Sequence, residues 1–142
     1  MPPELQSPEL QAWAMGFPIA LLHAGVTMVI LVAGASLYAL LTPHREVQLI
    51  REGNTAAAVS LGGVLVGLAI PLAVSLQASK SLIDIGVWGA TTIAVQLAVF
   101  RVTDLLLHGL PQRIQEGEVS AAALLVGAKL ATAIVLAAAV AA

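Results

Sequence analysis

Apolar residues run along this chain in four long blocks, and the charged residues gather in the short gaps between them. No charged side chain falls between Gln11 and Pro43, and the spacing predicts a first helix over residues 16–41. The remaining blocks predict helices over 55–77, 82–107 and 119–141, the third carrying Asp84 and Arg101 near its two ends. About 20 mostly apolar residues cross the hydrocarbon of a bilayer, and each block is long enough. Within lipid, backbone polar groups must be bonded inside the structure, which leaves helices or a closed barrel. The uninterrupted apolar runs lack the period-two alternation of barrel strands. The expected fold is an all-α membrane protein with four transmembrane helices. Asn54 stands where its side chain can cap the second helix, and Pro71 is expected to kink that helix near its end.

The blocks are related in pairs. Leu49-Ile50-Arg51-Glu52-Gly53-Asn54-Thr55-Ala56-Ala57-Ala58 returns later in the chain as Arg113-Ile114-Gln115-Glu116-Gly117-Glu118-Val119-Ser120-Ala121-Ala122. At the same offset His44 matches His108, and Gly63 and Gly67 match Gly127 and Ala131. The chain thus divides into an extracytoplasmic tail (1–15), a first two-helix repeat (16–79) and a second (80–142). With two spans per repeat, the tandem hairpins point the same way, related by a pseudo-two-fold axis along the membrane normal.

Composition narrows the function classes. Charged residues make up 10% of the chain, mean hydropathy is +0.97 and cysteine is absent. An ordinary soluble domain is roughly 25% charged, so lipid is the expected solvent. Disulfides, thiol redox chemistry and cysteine-held metals are excluded. A net charge of −2 leaves no basic face for nucleic acid. The tail has no Lys or Arg and no short apolar core, so no signal cleavage is expected. Arg45, Arg51 and Arg113 lie in the first and third joints, and Lys80 alone in the second. The positive-inside rule then puts both charged joints in the cytoplasm and both termini outside.

Gly63-x-x-x-Gly67 and Gly127-x-x-x-Ala131 are small-residue pairs that let helix backbones approach, and helix–helix packing is their expected role. The joints, 43–53 and 109–117, mix Val47, Leu49, Ile50, Leu110 and Ile114 with charges. They read either as short interfacial helices ended by Gly53 and Gly117 or as solvated loops.

The stretch Thr42-Pro43-His44-Arg45-Glu46, with Glu52-Gly53-Asn54-Thr55-Ala56-Ala57, Ile70-Pro71-Leu72, Trp88-Gly89 and Val95-Gln96-Leu97, resembles the YjfL-type inner-membrane proteins, the family known as domain of unknown function 350. The resemblance implies a bacterial inner-membrane protein of two-helix repeats with no assigned activity, and an envelope role beside membrane-remodelling proteins of the phage-shock type. It supplies no catalytic residues. Glu118 departs from the motif where the first copy has Asn54, and Lys129 lies outside the pattern.

Polar residues at bilayer depth are the remaining candidates, because charge there is expensive. Lys129 lies ten residues into the fourth block, ~15 Å from its start, beyond the reach of a ~6 Å lysine stem toward water. It is expected to face Gln96, Asp104 or a second subunit, and to point away from a seam at Gly127, about 200° around the helix. Arg101, Asp104 and His108 share a helical face as an interfacial anchor or a gate. His23 is expected near Gln77 or Asp84 in the outer half. His44 and His108 could face each other across the pseudo-two-fold, thin support for a metal or haem, and no cofactor is expected. No nucleophile–base set or phosphate loop appears, so an enzyme is not expected. Two functions remain. One is a non-enzymatic envelope scaffold in the bilayer, forming homo-oligomers and offering its joints to a cytoplasmic or membrane partner. The other is a small transporter or channel whose polar path runs past Lys129, Gln96, Asp104 and His23.

Overall fold

The structure, a computed structural model, describes residues 2, 7–42 and 46–142. Among these, the order of elements is α1 (Pro8–Leu41), α2 (Glu46–Arg51), α3 (Thr55–Ala78), α4 (Leu82–Leu106), α5 (Leu110–Gln115) and α6 (Val119–Ala141). The four long helices are each apolar and long enough to cross a membrane. Their boundaries follow the hydropathy blocks closely except at the first. There the helix starts at Pro8, so the tail expected over residues 1–15 is helical for half its length. The local chemistry explains the early start. The Ser7 side chain accepts from Leu10 N–H, proline occupies the first turn where no N–H is needed, and Glu9 sits at the positive end of the helix dipole. At 1.5 Å per residue α1 is about 51 Å long.

The core lies between α3 and its neighbours. α3 packs most extensively on α6, with α1 and α4 closing the other side. Tyr38, Val64, Leu68, Leu72, Ile93, Leu97 and Phe100 form one apolar cluster. Ile30 and Ile93 meet Gly89 and Gly34 across the α1–α4 contact, so these two helices run in the same direction. This register matches Leu82 at the start of α4 with His23 of α1. Residues 8–22 therefore project past the bundle, and every one of them is exposed.

Both joints are short helices docked on the bundle end, which decides between the two readings of these segments. Leu49 and Ile50 of α2 and Leu110 and Ile114 of α5 pack on a second cluster built from Ala56, Ala57, Ala121, Ala122 and Leu125. Two apolar residues per turn facing one cluster are enough to hold segments too short to be helical alone. Each ends in the same turn. Gly53 N–H bonds Ile50 O and Asn54 N–H bonds Leu49 O, and Gly117 and Glu118 repeat this with Ile114 and Arg113. Gly53 and Gly117 have φ of 89° and 87°, the left-handed conformation that such an ending requires and only glycine takes readily. Pro43, His44 and Arg45 lie outside the described residues, so the expected pairing of His44 with His108 does too.

The small-residue pairs part company. A Cβ on Gly63 would collide with Val126 of α6, and one on Gly67 would lie 2.6 Å from Phe100 Cζ of α4. Gly127 has open space around it, and both it and Ala131 are exposed. The expectation that Gly127 and Ala131 line a packed seam within the bundle is therefore corrected. The inward face of α6 is Ala121, Ala122, Leu125, Lys129, Ala133 and Ala137, and Val126 on its edge fills the notch that Gly63 leaves. Gly127 and Lys129 do lie on opposite sides of the helix, with the two sides exchanged: Lys129 points in and Gly127 out.

This geometry predicts unequal effects at positions that match in sequence. Gly63→Leu should destabilise the bundle by about 1–3 kcal/mol through overpacking, and Gly127→Leu should leave the single, unassociated bundle within about 0.5 kcal/mol of the parent, as surface changes do. Thermal melting in detergent reads the difference, and equal melting of the two variants would contradict the packing described.

Candidate functional site

The polar residues that matter most converge just beneath the joints. Lys129 reaches into the bundle from α6, Asp104 comes from the last turn of α4, Tyr38 from the last turn of α1, Ser60 from the second turn of α3 and Glu46 from the start of α2. Five elements thus send one side chain each into one site. Their placement follows from helix ends: four of the five residues lie within two turns of the joint end of the bundle. Lys129, which starts deeper, leans toward the same end because helical side chains tilt toward their own N-terminus.

Lys129 is 1% exposed. Its Nζ donates to the Tyr38 hydroxyl at 2.6 Å and lies 3.0 Å from Asp104 Oδ1, a close ion pair that is off-line for an aligned hydrogen bond. The ammonium also lies 4.7 Å from the centre of the Tyr38 ring and 5.4 Å from that of Phe100. Both rings stand within cation–π range, and they meet each other edge to face. Thr42 anchors Tyr38 by donating its hydroxyl to the Tyr38 carbonyl at 2.6 Å. The buried charge thus has an opposite charge, a hydroxyl and two aromatic walls.

Glu46 is the second buried ionisable group, at 3% exposure. Ser60 donates to its Oε1 at 3.4 Å, and its Oε2 has no partner among the described residues. Burial pushes the Glu46 carboxyl up to about 7; the Lys129 ammonium and the Ser60 hydrogen bond pull against this, and the Asp104 carboxylate adds to it. A recess of about 20 Å³ beside the pair, room for a single water, is lined by Tyr38, Leu41, Thr42, Leu97, Arg101 and Asp104.

The remaining candidates lie elsewhere. Arg101 is exposed at the rim of the recess, and His108 is exposed beyond it. Gln96 is fully buried two turns deeper than Asp104, and neither atom of its amide has a partner among the described residues, so it does not meet Lys129. His23 is half-buried in α1, where its carbonyl accepts from Thr27 at 2.7 Å. Asp84 instead accepts from Lys80 N–H at 3.3 Å, and no hydrogen bond among the described residues joins His23 to Asp84 or Gln77. Among the described residues no three His, Cys, Asp or Glu side chains converge as a metal would need.

In the joint motif, Asn54 does double duty. Its Oδ1 accepts from Ala57 N–H at 3.1 Å and caps α3, and its Nδ2 donates to the carbonyls of Ile114 and Gln115 at 3.0 Å, capping the end of α5. Glu118, which follows Gly117 as Asn54 follows Gly53, makes no side-chain cap on α6 and pairs with Arg113 at the surface, Nε to Oε2 at 2.6 Å. Glu52 is exposed and accepts from Gln48.

Tyr38 and Glu46 are the residues that sequence reasoning missed. The helical phase of the first joint carried a signal for Glu46, which shares a face with the core-seeking Leu49 and Ile50. Tyr38, the single tyrosine, is one turn from the end of an otherwise featureless apolar helix, and nothing local marks it.

The pair should behave as a unit. Removing one partner of a buried ion pair destabilises by about 3–5 kcal/mol, because the other charge is stranded. Lys129→Met and Asp104→Leu should each lower the melting temperature in detergent. The double variant should melt above either single one, and additive losses would show that the two charges are not coupled.

A family profile described as "Domain of Unknown Function (DUF350)" matches residues 12–140. The inner membrane protein YjfL of Escherichia coli, in strain K12 and in O157:H7, is 38% identical over 90 residues, covering 63% of this chain and 67% of that protein. No solved structure matches the chain. The T-P-H…G-N-T-A-A motif, the four apolar helices and the profile agree: the chain is a multi-pass membrane protein and belongs to the DUF350 family.

Proposed function

We propose that the chain is a non-enzymatic scaffold of the bacterial inner membrane, associating with further copies of itself, with both joints in the cytoplasm and both termini outside. The observation that carries this reading is the sealing of Lys129: its amine is closed off by Tyr38, Asp104 and Phe100 and does not line an open path. Ile93 and Leu97, which flank the buried Gln96 on α4, belong to the apolar cluster of the core. The orientation rests on the joint arginines, Arg45, Arg51 and Arg113, against Lys80. The matching turns at Gly53 and Gly117 and the similar docking of α2 and α5 favour a duplicated hairpin. Gly127 and Ala131, turned outward, give α6 a small-residue face of the kind that packs a second membrane helix. The docked joints form the surface on which a cytoplasmic or membrane protein would bind.

One observation favours a second reading, a small transporter. The Gln96 amide and Glu46 Oε2 are buried polar atoms without partners among the described residues, as in a path that hydrates when it opens.

A chain without cysteine allows both readings to be tested with single-cysteine variants. In native membranes a membrane-impermeant maleimide should label Glu52→Cys and Glu116→Cys from the cytoplasmic side, Ser79→Cys from outside, and Lys129→Cys from neither. Labelling of Lys129→Cys at the rate of the joint positions, with solute flux in liposomes, would establish the transporter instead. Cytoplasmic labelling of Ser79→Cys would reverse the orientation.

A further inference from the structure

We propose that Glu46 is a proton-binding site that sets whether α2 stays docked on the end of the bundle. The geometry carries it. α2 is only six residues long and is held by Leu49, Ile50 and Glu46. Too short to persist as a helix alone, it depends on how well those three side chains are buried. It is followed by Gly53, where the chain turns into α3.

Glu46 enters a site whose charge is already balanced. Lys129 on α6 is matched by Asp104 on α4; Tyr38 on α1 contributes a hydroxyl already engaged by Lys129, and Ser60 on α3 contributes a single donor at 3.4 Å. An ionised Glu46 therefore brings a second negative charge to one ammonium, and its Oε2 has no donor among the described residues. A protonated Glu46 brings neither burden.

The direction of the pH dependence follows. The docked carboxyl is raised from 4.5 to about 7, so the docked state holds a proton that a solvated α2 releases. Docking is strongest below the solvated value and weakens as pH rises through about 7. Between the two values each pH unit shifts the docking equilibrium about tenfold, and the whole interval about 300-fold. If the joints face the cytoplasm, as proposed above, the site responds to cytoplasmic pH. The device itself is independent of orientation.

The test uses the full chain in lipid nanodiscs, where both faces meet the same buffer, so an error in orientation cannot imitate failure of the device. Val47→Cys on α2, 48% exposed, carries a polarity-sensitive dye. The dye should report a transition to a more polar environment with a midpoint between the solvated and the docked Glu46 values, 4.5 and about 7. Glu46→Gln should abolish the transition and keep the docked signal at every pH. Ser60→Ala, which removes a hydrogen bond favouring the docked ionised form, should deepen the undocking at high pH or move it to lower pH, and it keeps the proposal testable if Glu46→Gln does not fold. A titration unchanged by Glu46→Gln, a transition moved to higher pH in Ser60→Ala, or the absence of any transition while the chain stays folded would overturn it.

Discussion

The ammonium of Lys129 is the constraint around which the joint end of this protein is arranged. A charge sealed in a bundle surrounded by lipid must be answered by groups from other helices, because its own helix has every backbone group engaged. Asp104 answers with charge, Tyr38 with a hydroxyl, and the Tyr38 and Phe100 rings with their faces. Each answer ties one more element to α6. α1 and α4 are joined to it through polar contacts, so one side chain specifies how three of the long helices meet at this end, while α3 joins through Ser60 and Glu46. Apolar packing alone would not specify it. Lipid tails are as apolar as leucine, and a bundle of apolar helices has many nearly equivalent arrangements.

The joints complete the arrangement. Asn54 caps the start of α3 and the end of α5 with one amide, binding the two halves of the chain where they meet. The corresponding turn after α5 has a glutamate, Glu118, which cannot donate to carbonyls and turns instead to Arg113. Two similar sequences thus end in similar turns and differ in the one contact that crosses between them.

What the sequence makes legible follows from the range of each signal. Hydropathy is summed over the whole length of a span, so the spans stand out, and α3, α4 and α6 end close to their predicted limits. Capping is decided within a single turn, so the role of Asn54 could be read, and Ser7 carried the same signal for the early start of α1. Lys129 declared itself as a problem because charge in lipid is rare, and Asp104 as one of its possible solutions. Facing is harder. The small-residue pair at Gly127 resembles the one at Gly63, but which side of a helix turns inward depends on the whole bundle, and a buried lysine outweighs a glycine in deciding it. Tyr38 and Glu46 belong to the first half of the chain and Lys129 to its last helix, and no local pattern encodes their meeting.

The overhang of α1 gives the protein an uneven height. α3, α4 and α6 are about 35–38 Å long, close to the ~30 Å of a typical hydrocarbon core, whereas α1 reaches about 51 Å and is apolar over nearly all of it. Lipids on the α1 side meet a taller apolar wall than those beside α6. Where the whole of α1 meets lipid, the mismatch is taken up by tilting, by kinking, for which Pro18 is placed, or by local thickening, each with an energy that grows with every ångström. Membrane thickness is therefore a variable to which this chain is physically coupled, through the length of a single helix.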